Sequence, residues 1–450
     1  MGRLFGTDGV RGIANTALTC ELAMEIGRAA AMVLADGTRR RPLILIGKDT
    51  RLSSDMLEGA LTAGLCSVGA DVILTGVVPT PAVAYLVGRY KADAGIMISA
   101  SHNPYGFNGI KIFSGDGFKL PDALEEQVEA IVLDHVKKPV LASGGEIGKV
   151  SRADTAVKDY VDHLKSTVLY SLEGLRVAID AANGSASVTA ARLFSQLGAE
   201  AVLLSDRPNG VNINDGCGST HMGQLQKMVA QGGFDAGIAF DGDADRCLCV
   251  DENGSIMDGD QIMAVCALDM QERGKLAKNT VVGTVMTNLG FIRFCEEQGM
   301  RFIATKVGDR FVLEELLLEE YSFGGEQSGH VIFRDFASTG DGQLTAIQLL
   351  SLMRRKGQKL SELSGVMKRF PQTMINVPVS SEGKLAFYTN SAVKQAVEDA
   401  KSQLGSQGRI LVRVSGTEPY VRVMTEGEDP QAIEEIAAQV ASVVEQELKD

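Results

Sequence analysis

The sequence predicts an α/β protein: three similar α/β domains with mixed, mainly parallel sheets, followed by a smaller C-terminal α+β domain. Three observations carry this. A strand–turn–helix–strand passage recurs three times along the 450 residues. Polar, Gly-containing loops follow equivalent strands in each copy, and the chain after about residue 366 breaks the pattern.

The first copy runs Pro42-Leu-Ile-Leu-Ile-Gly-Lys-Asp-Thr-Arg51, a helix from about Ser54, then Gly69-Ala-Asp-Val-Ile-Leu74. The second runs Leu175-Arg-Val-Ala-Ile-Asp180, a helix from about Ser187, then Gly198-Ala-Glu-Ala-Val-Leu203. The third runs Thr280-Val-Val-Gly-Thr284, a helix from about Leu289, then Gly299-Met-Arg-Phe-Ile303. Apolar, β-branched runs that alternate with helices and restart at a Gly turn are the pattern of βαβ units, whose strands are buried on both faces. Each copy then reaches a further strand: Asp93-Ala-Gly-Ile96, Asp235-Ala-Gly-Ile238 and Tyr321-Ser-Phe-Gly324. Behind these strands lie Ser99-Ala-Ser-His-Asn-Pro104, Asp241-Gly-Asp-Ala-Asp-Arg246 and Gly325-Glu-Gln-Ser-Gly-His330. Ligands bind beyond the C-terminal ends of parallel strands, so three equivalent loops of different chemistry predict one shared site.

The domain edges follow from the connections. Asp122 to Lys138 reads as an amphipathic helix (Val128, Ile131, Val132, His135), and the linker after it carries Pro139, Gly144 and Gly145, so the first domain is 1–150. The polar turn Asp251-Glu-Asn-Gly254 ends a second domain, 151–252, and Gly365 to Pro371 ends a third, 253–366. The last domain, 367–450, holds a strand (Thr373 to Val379), a helix, the stretch Arg409 to Met424, and a helix opened by Asp429 and Pro430.

Composition excludes several classes. A chain with 45% hydrophobic and 22% charged residues can build cores and is not a disordered polyampholyte. With 44 Lys plus Arg against 57 Asp plus Glu, the net charge is −13, and no basic run occurs. Nucleic acids and anionic membranes are read through positive potential, so neither is an expected partner, and any anionic substrate needs a local basic cluster. Seven scattered cysteines without a CxxC pair predict free thiols in a reducing compartment. The N-terminus has no apolar core for a signal peptide, and the most apolar stretch, Val72 to Gly88, is broken by Pro79 and Pro81. The expected location is cytoplasmic.

Asp241, Asp243 and Asp245 alternate, so a curled loop can converge three hard oxygen ligands on a divalent cation. An EF-hand competes, with Glu252 at loop position 12, but position 6 is Arg246 where Gly is needed, and strand-like runs flank the loop. A solvated acidic turn also competes, although three crowded carboxylates repel one another. Mg²⁺ suits the aspartates if phosphate lies nearby, since it prefers few carboxylates plus phosphate oxygens. Ser101 sits among turn residues and on its own reads as one of them; no GxSxG elbow is present. Its place in the loop equivalent to the aspartates raises it, because a metal beside a phosphorylated hydroxyl polarises the phosphoryl group. Lys111 can return toward it as acid or base, or remain a surface charge. Gly325–His330 offers a carboxylate, an amide, a hydroxyl and an imidazole suited to sugar hydroxyls, and fits a polar turn equally well. Arg413-Val-Ser-Gly-Thr-Glu-Pro419 with Arg422 reads as the local basic cluster the charge balance requires, and an Arg turn with a salt-bridge role competes with that reading. His135 and His163 fall on amphipathic helices, and His221 reads as the cap of a helix from Met222 to Ala230. None has metal-ligand spacing, which argues against zinc.

Taken in order, Phe5-Gly-Thr-Asp-Gly-Val-Arg-Gly12, Ser99–Pro104, Asp241–Arg246, Gly325–His330 and Arg413–Pro419 make the chain resemble the α-D-phosphohexomutase superfamily over its whole length. That resemblance implies four domains around a central cleft. It implies that Ser101 is a phosphoserine, that Asp241, Asp243 and Asp245 hold one Mg²⁺ together with its phosphate, and that Glu326, Ser328 and His330 bind the sugar. It implies that Arg413, Ser415, Gly416, Thr417 and Arg422 hold the phosphate that is not reacting. Arg11 and Lys111 match acid/base or phosphate-stabilising residues, and His102 and Arg246 join the catalytic set. Gln327, within Gly325–His330, resembles the amino-sugar branch, whereas glucose and mannose enzymes usually carry Met at that position. The implied reaction interconverts glucosamine 6- and 1-phosphates, with glucosamine or glucose 1,6-bisphosphate as priming intermediate, and supplies amino-sugar and peptidoglycan precursors. A kinase or bisphosphate donor would prime Ser101, and a homo-oligomer stays open. A glucose or mannose phosphate mutase is the alternative within the class. Outside it the alternative is a silent sugar-phosphate sensor, against which stand the retained Ser101 and three aspartates.

Overall fold

The computed structural model describes residues 3–6, 8–35, 41–415 and 419–449. The chain divides into two compact units, Met1–Met286 with Gly299–Val366, and Thr287–Gln298 with Met367–Asp450.

Three sheets build the first unit. The first has β1 (Val10–Ile13), β2 (Leu43–Lys48), β3 (Asp71–Val77), β4 (Ala94–Ile98), β5 (Phe107–Ser114) and β6 (Val150–Arg152), in the order β1-β5-β4-β2-β3-β6. The second has β7 (Arg176–Asp180), β8 (Glu200–Leu204), β9 (Ala236–Phe240), β10 (Cys247–Asp251) and β11 (Ile256–Met257), in the order β11-β10-β9-β7-β8. The third has β12 (Thr280–Thr284), β13 (Arg301–Thr305), β14 (Phe323–Gly325) and β15 (Val331–Phe333), in the order β13-β12-β14-β15. The repeat read from the sequence is therefore a repeat of topology. In each repeat, beginning at β2, β7 and β12, the first strand pairs in parallel with the second on one side and the third on the other, and a fourth returns antiparallel beside the third. The return is antiparallel because the loop before it is too short for a crossover helix. Those short loops are Ser99–Gly106, Asp241–Arg246 and Glu326–His330.

β4 and β9 are buried at every position, as expected of strands covered on both faces. The helix Thr80–Tyr90 starts with Pro81 in its first turn, so the apolar Val72–Gly88 stretch is a strand followed by a helix. Two short strands lie at the expected edges. β6 pairs with β3, carrying the first sheet past residue 150. The polar turn at Glu252–Gly254 closes a hairpin, with Gly254 at φ 89° and its N–H donating to Asp251 O at 2.9 Å. β11 then pairs with β10 and takes the second sheet to Met257, beyond residue 252. The helix Asp122–Asp134 stops short of Lys138 because His135 turns left-handed, at φ 53°, and is exposed. Val128 and Val132 form its buried face. His221 is not a cap either: Met222 holds the N-cap position of the helix Gly223–Ala230, and the His221 ring lies 3.0 Å from Thr220 Oγ1.

In the second unit β16 (Gln372–Pro378), β17 (Gly408–Val414) and β18 (Tyr420–Gly427) form an antiparallel sheet in the order β16-β18-β17. Helices Ser391–Leu404 and Pro430–Leu448 pack against it, burying Val377, Val421, Val423, Ile433, Ile436 and Val440. The Asp429 side chain caps the last helix by accepting from the N–H groups of Gln431 and Ala432. Helix Leu289–Glu297 belongs to this unit as well, tied in by Asn288 Nδ2, which donates to Glu426 Oε1 at 3.1 Å and to Phe370 O at 3.0 Å.

Candidate active site

The three short return loops of the first unit meet. Ser101 Oγ donates to Asp241 Oδ2 at 2.5 Å, joining the first loop to the second. Gly242 makes that approach feasible, because a Cβ there would stand 2.6 Å from Ser101 O. The second loop meets the third where Cys247 N–H donates to Gly329 O at 3.0 Å. Gly329 is required twice over, with φ 91° and a Cβ position 2.3 Å from Cys247 O.

Asp241, Asp243 and Asp245 are all buried, and one oxygen of each lies within 4.8 Å of the others. Burial, and then the charges of Asp245 and Asp243, push the Asp241 carboxyl well above its usual range. Asp243 Oδ2 accepts from Thr80 Oγ1 at 2.7 Å and from Lys111 Nζ at 2.8 Å. Asp243 Oδ1 and Asp245 Oδ1 are buried and accept no hydrogen bond among the described residues. Lys111 stands on β5 and also lies 3.0 Å from Asp8 and 3.6 Å from Asp245. Burial alone would lower its pKa, but Asp243, Asp8 and Asp245 raise it well above the ordinary value, so it is a cation. Arg11, on β1, pairs with Asp8, and its pKa also rises against burial. Asp245 is held low: burial is overcome by Lys111, His330 and Arg246. His102 Nδ1 lies 3.1 Å from Arg246 Nη1 and 3.4 Å from Ser101 Oγ. Burial, then the Arg246 and Arg11 charges, lower its pKa to about 4, so the imidazole is neutral at pH 7.

In the third loop Glu326 Oε1 accepts from Gly308 N–H at 3.0 Å. Ser328 Oγ and Gln327 Nε2 are buried with no hydrogen-bond partner among the described residues, as suits groups that meet a polar ligand. His330 lies between two carboxylates, with Nδ1 3.7 Å from Asp245 and Nε2 3.6 Å from Asp309. Burial works against protonation, yet the carboxylates raise the pKa to about 9. Opposing them, Gly340 N–H points at Nε2 from 3.1 Å and asks for a lone pair there. Two full negative charges outweigh one amide dipole, and His330 is a cation wherever both carboxylates are ionised.

The second unit carries its own basic cluster. Arg413 on β17 and Arg422 on β18 are cross-strand partners. Burial and the neighbouring Arg422 charge lower the Arg413 pKa, the signature of two guanidinium groups sharing a space that suits an anion. Ser415 is buried at the end of β17, whereas Gly416 and Thr417 lie outside the described residues.

The chain matches phosphoglucomutase/phosphomannomutase domains in order: alpha/beta/alpha domain I over residues 2–138, domain II over 158–254, domain III over 258–370, and the C-terminal domain over 374–443. The chain belongs to the phosphoglucomutase/phosphomannomutase family. It is 51% identical to a phosphoglucosamine mutase of Acetivibrio thermocellus over 448 residues and 52% identical to one of Caldicellulosiruptor bescii over 450, each covering 100% of both chains. A phosphoglucomutase/phosphomannomutase family protein of Burkholderia thailandensis superposes with TM-score 0.83 at 25% identity, covering 98% of this chain and 97% of that one. The N-acetylphosphoglucosamine mutase of Aspergillus fumigatus in complex with GlcNAc-6P and magnesium shares the fold, with TM-score 0.71 at 16% identity, covering 98% and 95%. Membership makes the chain an isomerase, a phosphotransferase mutase acting on a phosphosugar. No helix among the described residues is long and apolar enough to cross a membrane.

The aspartates fit a divalent cation. Two orphaned buried oxygens, a third carboxyl pushed toward protonation by burial and then by its neighbours, and an all-oxygen donor set are what hard-cation ligands look like without the ion. Several further residues have no signal of their own in the sequence. Thr80 orients Asp243 from a helix start, and Asp8, Lys119 and Asp309 extend the charge pairing away from Lys111. Asp49 and Arg51 hold the Ser101 loop from the end of β2. Their common mark is position: Asp49 and Arg51 follow a central parallel strand, and Asp309 follows β13.

Proposed function

We propose that this chain interconverts glucosamine 6-phosphate and glucosamine 1-phosphate through a phosphoserine at Ser101 and a glucosamine 1,6-bisphosphate intermediate. The observation that carries this is Ser101 Oγ held 2.5 Å from the Asp241 carboxylate, beside buried oxygens that lack partners. In the first half-reaction the sugar 1-hydroxyl oxygen attacks the phosphoryl group on Ser101. The new O1–P bond forms as the Oγ–P bond breaks, and the hydroxyl proton ends on Oγ. After the bisphosphate turns over, Ser101 Oγ attacks phosphorus at O6. The P–O6 bond breaks, the proton passes to O6, and glucosamine 1-phosphate leaves a rephosphorylated serine.

Asp241, Asp243 and Asp245 would hold Mg²⁺, which neutralises phosphoryl charge. Lys111, Arg11 and Arg246 add positive charge around the same oxygens, and such charge is what a loose phosphoryl-transfer transition state needs. His102, neutral at pH 7, adds no charge but stands 3.4 Å from Ser101 Oγ as a hydrogen-bonding group beside it. Glu326, Ser328 and His330 take the sugar hydroxyls and amine, with Ser328 Oγ unpartnered for that purpose. Arg413, Ser415, Gly416, Thr417 and Arg422 take the other phosphate. A kinase or bisphosphate donor primes Ser101, and the reaction supplies amino-sugar precursors in the cytoplasm. The domain plan that goes with this is 1–150, 151–252, 253–366 and 367–450, the sheets overrunning the first two edges by a few residues.

The test is coupled turnover of glucosamine, glucose and mannose 6-phosphates by wild type and Ser101→Ala, with intact mass of both. Glucosamine 6-phosphate is expected to be the best substrate, and the phosphoryl adduct and the activity are expected to vanish together in the variant. Equal turnover of all three sugars would make the enzyme a broad phosphohexomutase, and full activity in Ser101→Ala would end the phosphoserine mechanism.

A further inference from the structure

Arg51 is buried at the junction between β2 and the helix Leu52–Ser67, with a side chain 0% exposed. All five of its guanidinium N–H donors are placed. Nε donates to Asp49 Oδ2 at 2.8 Å. Nη1 donates to Pro104 O at 2.5 Å and Phe107 O at 3.0 Å. Nη2 donates to Ser101 O at 2.9 Å and Asn103 O at 2.8 Å. One side chain therefore gathers four carbonyls from a seven-residue stretch, residues 101–107, that covers the serine loop and the first residue of β5. A second path fixes the other face of the serine peptide: Ser101 N–H donates to Ser99 Oγ at 2.9 Å, and Ser99 Oγ donates to Asp49 Oδ2 at 2.7 Å. From the second sheet's domain, Asn214 Nδ2 donates to Ser101 O at 2.8 Å and Asn103 O at 3.1 Å.

This much anchoring is more than a surface turn needs. Ser101 has φ 51°, a left-handed conformation that costs a non-glycine residue about 1–2 kcal/mol. Strain of that kind persists only where the surroundings over-determine it. The conformation aims Oγ at Asp241. With the anchors released, the serine would relax toward a common backbone region and swing Oγ away from the aspartates.

We propose that Arg51 is a positioning residue for the phosphoryl-transfer step: its planar fork holds Ser101 in the left-handed conformation that points Oγ at the aspartate cluster. The proposal rests on the mutase reading above. Lys cannot replace Arg here, since three donors on a mobile ammonium do not span four carbonyls and a carboxylate. A misplacement of the reacting group by about 1 Å costs on the order of 100-fold in rate.

The experiment compares full-length wild type, Arg51→Lys, Ser99→Ala and Asn214→Ala in steady-state kinetics, with phosphoryl occupancy of Ser101 read by intact mass and folding by thermal midpoint. Arg51→Lys keeps the charge beside Asp49, and the other two release one anchor each without stranding a buried ion. Arg51→Lys is expected to lose about 100-fold in kcat per phosphorylated enzyme, with KM within about threefold, and Ser99→Ala and Asn214→Ala to lose less in the same direction. A KM that rises while kcat per phosphorylated enzyme holds, or a rate loss that merely tracks the unfolded fraction, overturns the positioning role. An active wild type beside an equally active Arg51→Lys overturns this inference alone. A wild type with neither turnover nor phosphoryl adduct overturns it together with the mutase reading.

Discussion

Replacing Lys111 by Met removes the cation on which three carboxylates converge. Lys111 is 2% exposed and Asp243 0%, with 2.8 Å between Nζ and Oδ2. At that distance the gross attraction is about 6 kcal/mol for an effective dielectric near 20. Desolvation of both ions offsets most of it. What the substitution exposes is the cost of the stranded partner, about 3–5 kcal/mol for a broken buried pair. The lower end applies, because Asp8 keeps Lys119 at 2.7 Å and Asp243 keeps the Thr80 hydroxyl at 2.7 Å. A loss of about 3 kcal/mol lowers the first thermal midpoint by roughly 6–12 °C, taking a cooperative unit of about 150–250 residues. The loss has a pH signature. Burial would raise the Asp8 and Asp245 carboxyls, but Lys111 is the first of the charges that hold both low, so the variant loses part of that depression. A carboxyl held low stabilises fully above the unfolded pKa and loses that contribution as pH falls through the folded one. The gap between wild type and variant should therefore be full near neutral pH and narrow as pH falls below the unfolded value of about 3.9 in metal-free buffer. Turnover should fall about 10²–10³-fold, as for loss of one preorganised charge at a transition state. Midpoints measured across pH by scanning calorimetry, beside a coupled rate assay, decide it. A gap that stays flat with pH would mean that Lys111 acts by volume alone, and wild-type turnover would remove it from the chemistry.

Three other outcomes follow from the same geometry. Mg²⁺ at about 100 times its dissociation constant should stabilise the wild type by about 2.7 kcal/mol, and Asp245→Asn should abolish that thermal shift; an equal shift in the variant would place the ion elsewhere. Arg413→Gln should raise KM for the phosphosugar about tenfold, near 1.4 kcal/mol, while leaving the apo midpoint level or slightly higher because a like-charge cross-strand pair is relieved; a lowered apo midpoint with unchanged KM would count against an anion site. Asp341, fully buried and bonded to Tyr160 OH at 2.8 Å, has its pKa raised by burial to about 6. Its stabilising contribution is complete below the unfolded pKa near ~3.8 and lost as pH rises through about 6, so Asp341→Asn should gain about 1–1.5 kcal/mol on the wild type between roughly pH 5 and 7.5; parallel pH curves for the two proteins would refute this.

The parts of the site legible in the sequence are those written in local chemistry. Asp241, Asp243 and Asp245 alternate within one loop, Gly325–His330 packs four polar functions between glycines, and Arg413 and Arg422 flank one turn. The threefold repeat is legible because buried parallel strands are continuous apolar runs with Gly restarts. Domain edges were displaced where pairing is non-local: Val150–Arg152 finds β3, and Ile256–Met257 folds back on β10. Neither short segment has a strand pattern of its own. Asp49, Thr80, Asn214 and Asp309 escaped notice for a related reason. Each acts on a partner more than twenty residues away in sequence, and each residue type is as common in turns that do nothing.

The strain at the centre of the site was the least legible feature of all, and the fold explains why. Ser101 and Ala244 both adopt left-handed conformations, at φ 51° and 57°, in equivalent loops. A glycine at either position would have flagged a special backbone; serine and alanine flag nothing. Left-handed non-glycine residues survive here because each loop hangs between an interior strand and its antiparallel neighbour, β4 to β5 and β9 to β10, so both ends are fixed by ladders. The loops are then locked to each other by Ser101 Oγ on Asp241, and Asn214 Nδ2, from the connection after β8, holds Ser101 O. A glycine at position 101 would relax the backbone and remove the hydroxyl at once. The chain thus stores about 1–2 kcal/mol in each of two residues and holds them with contacts that cross between sheets. Information of that kind lies in the topology, and no window of sequence contains it.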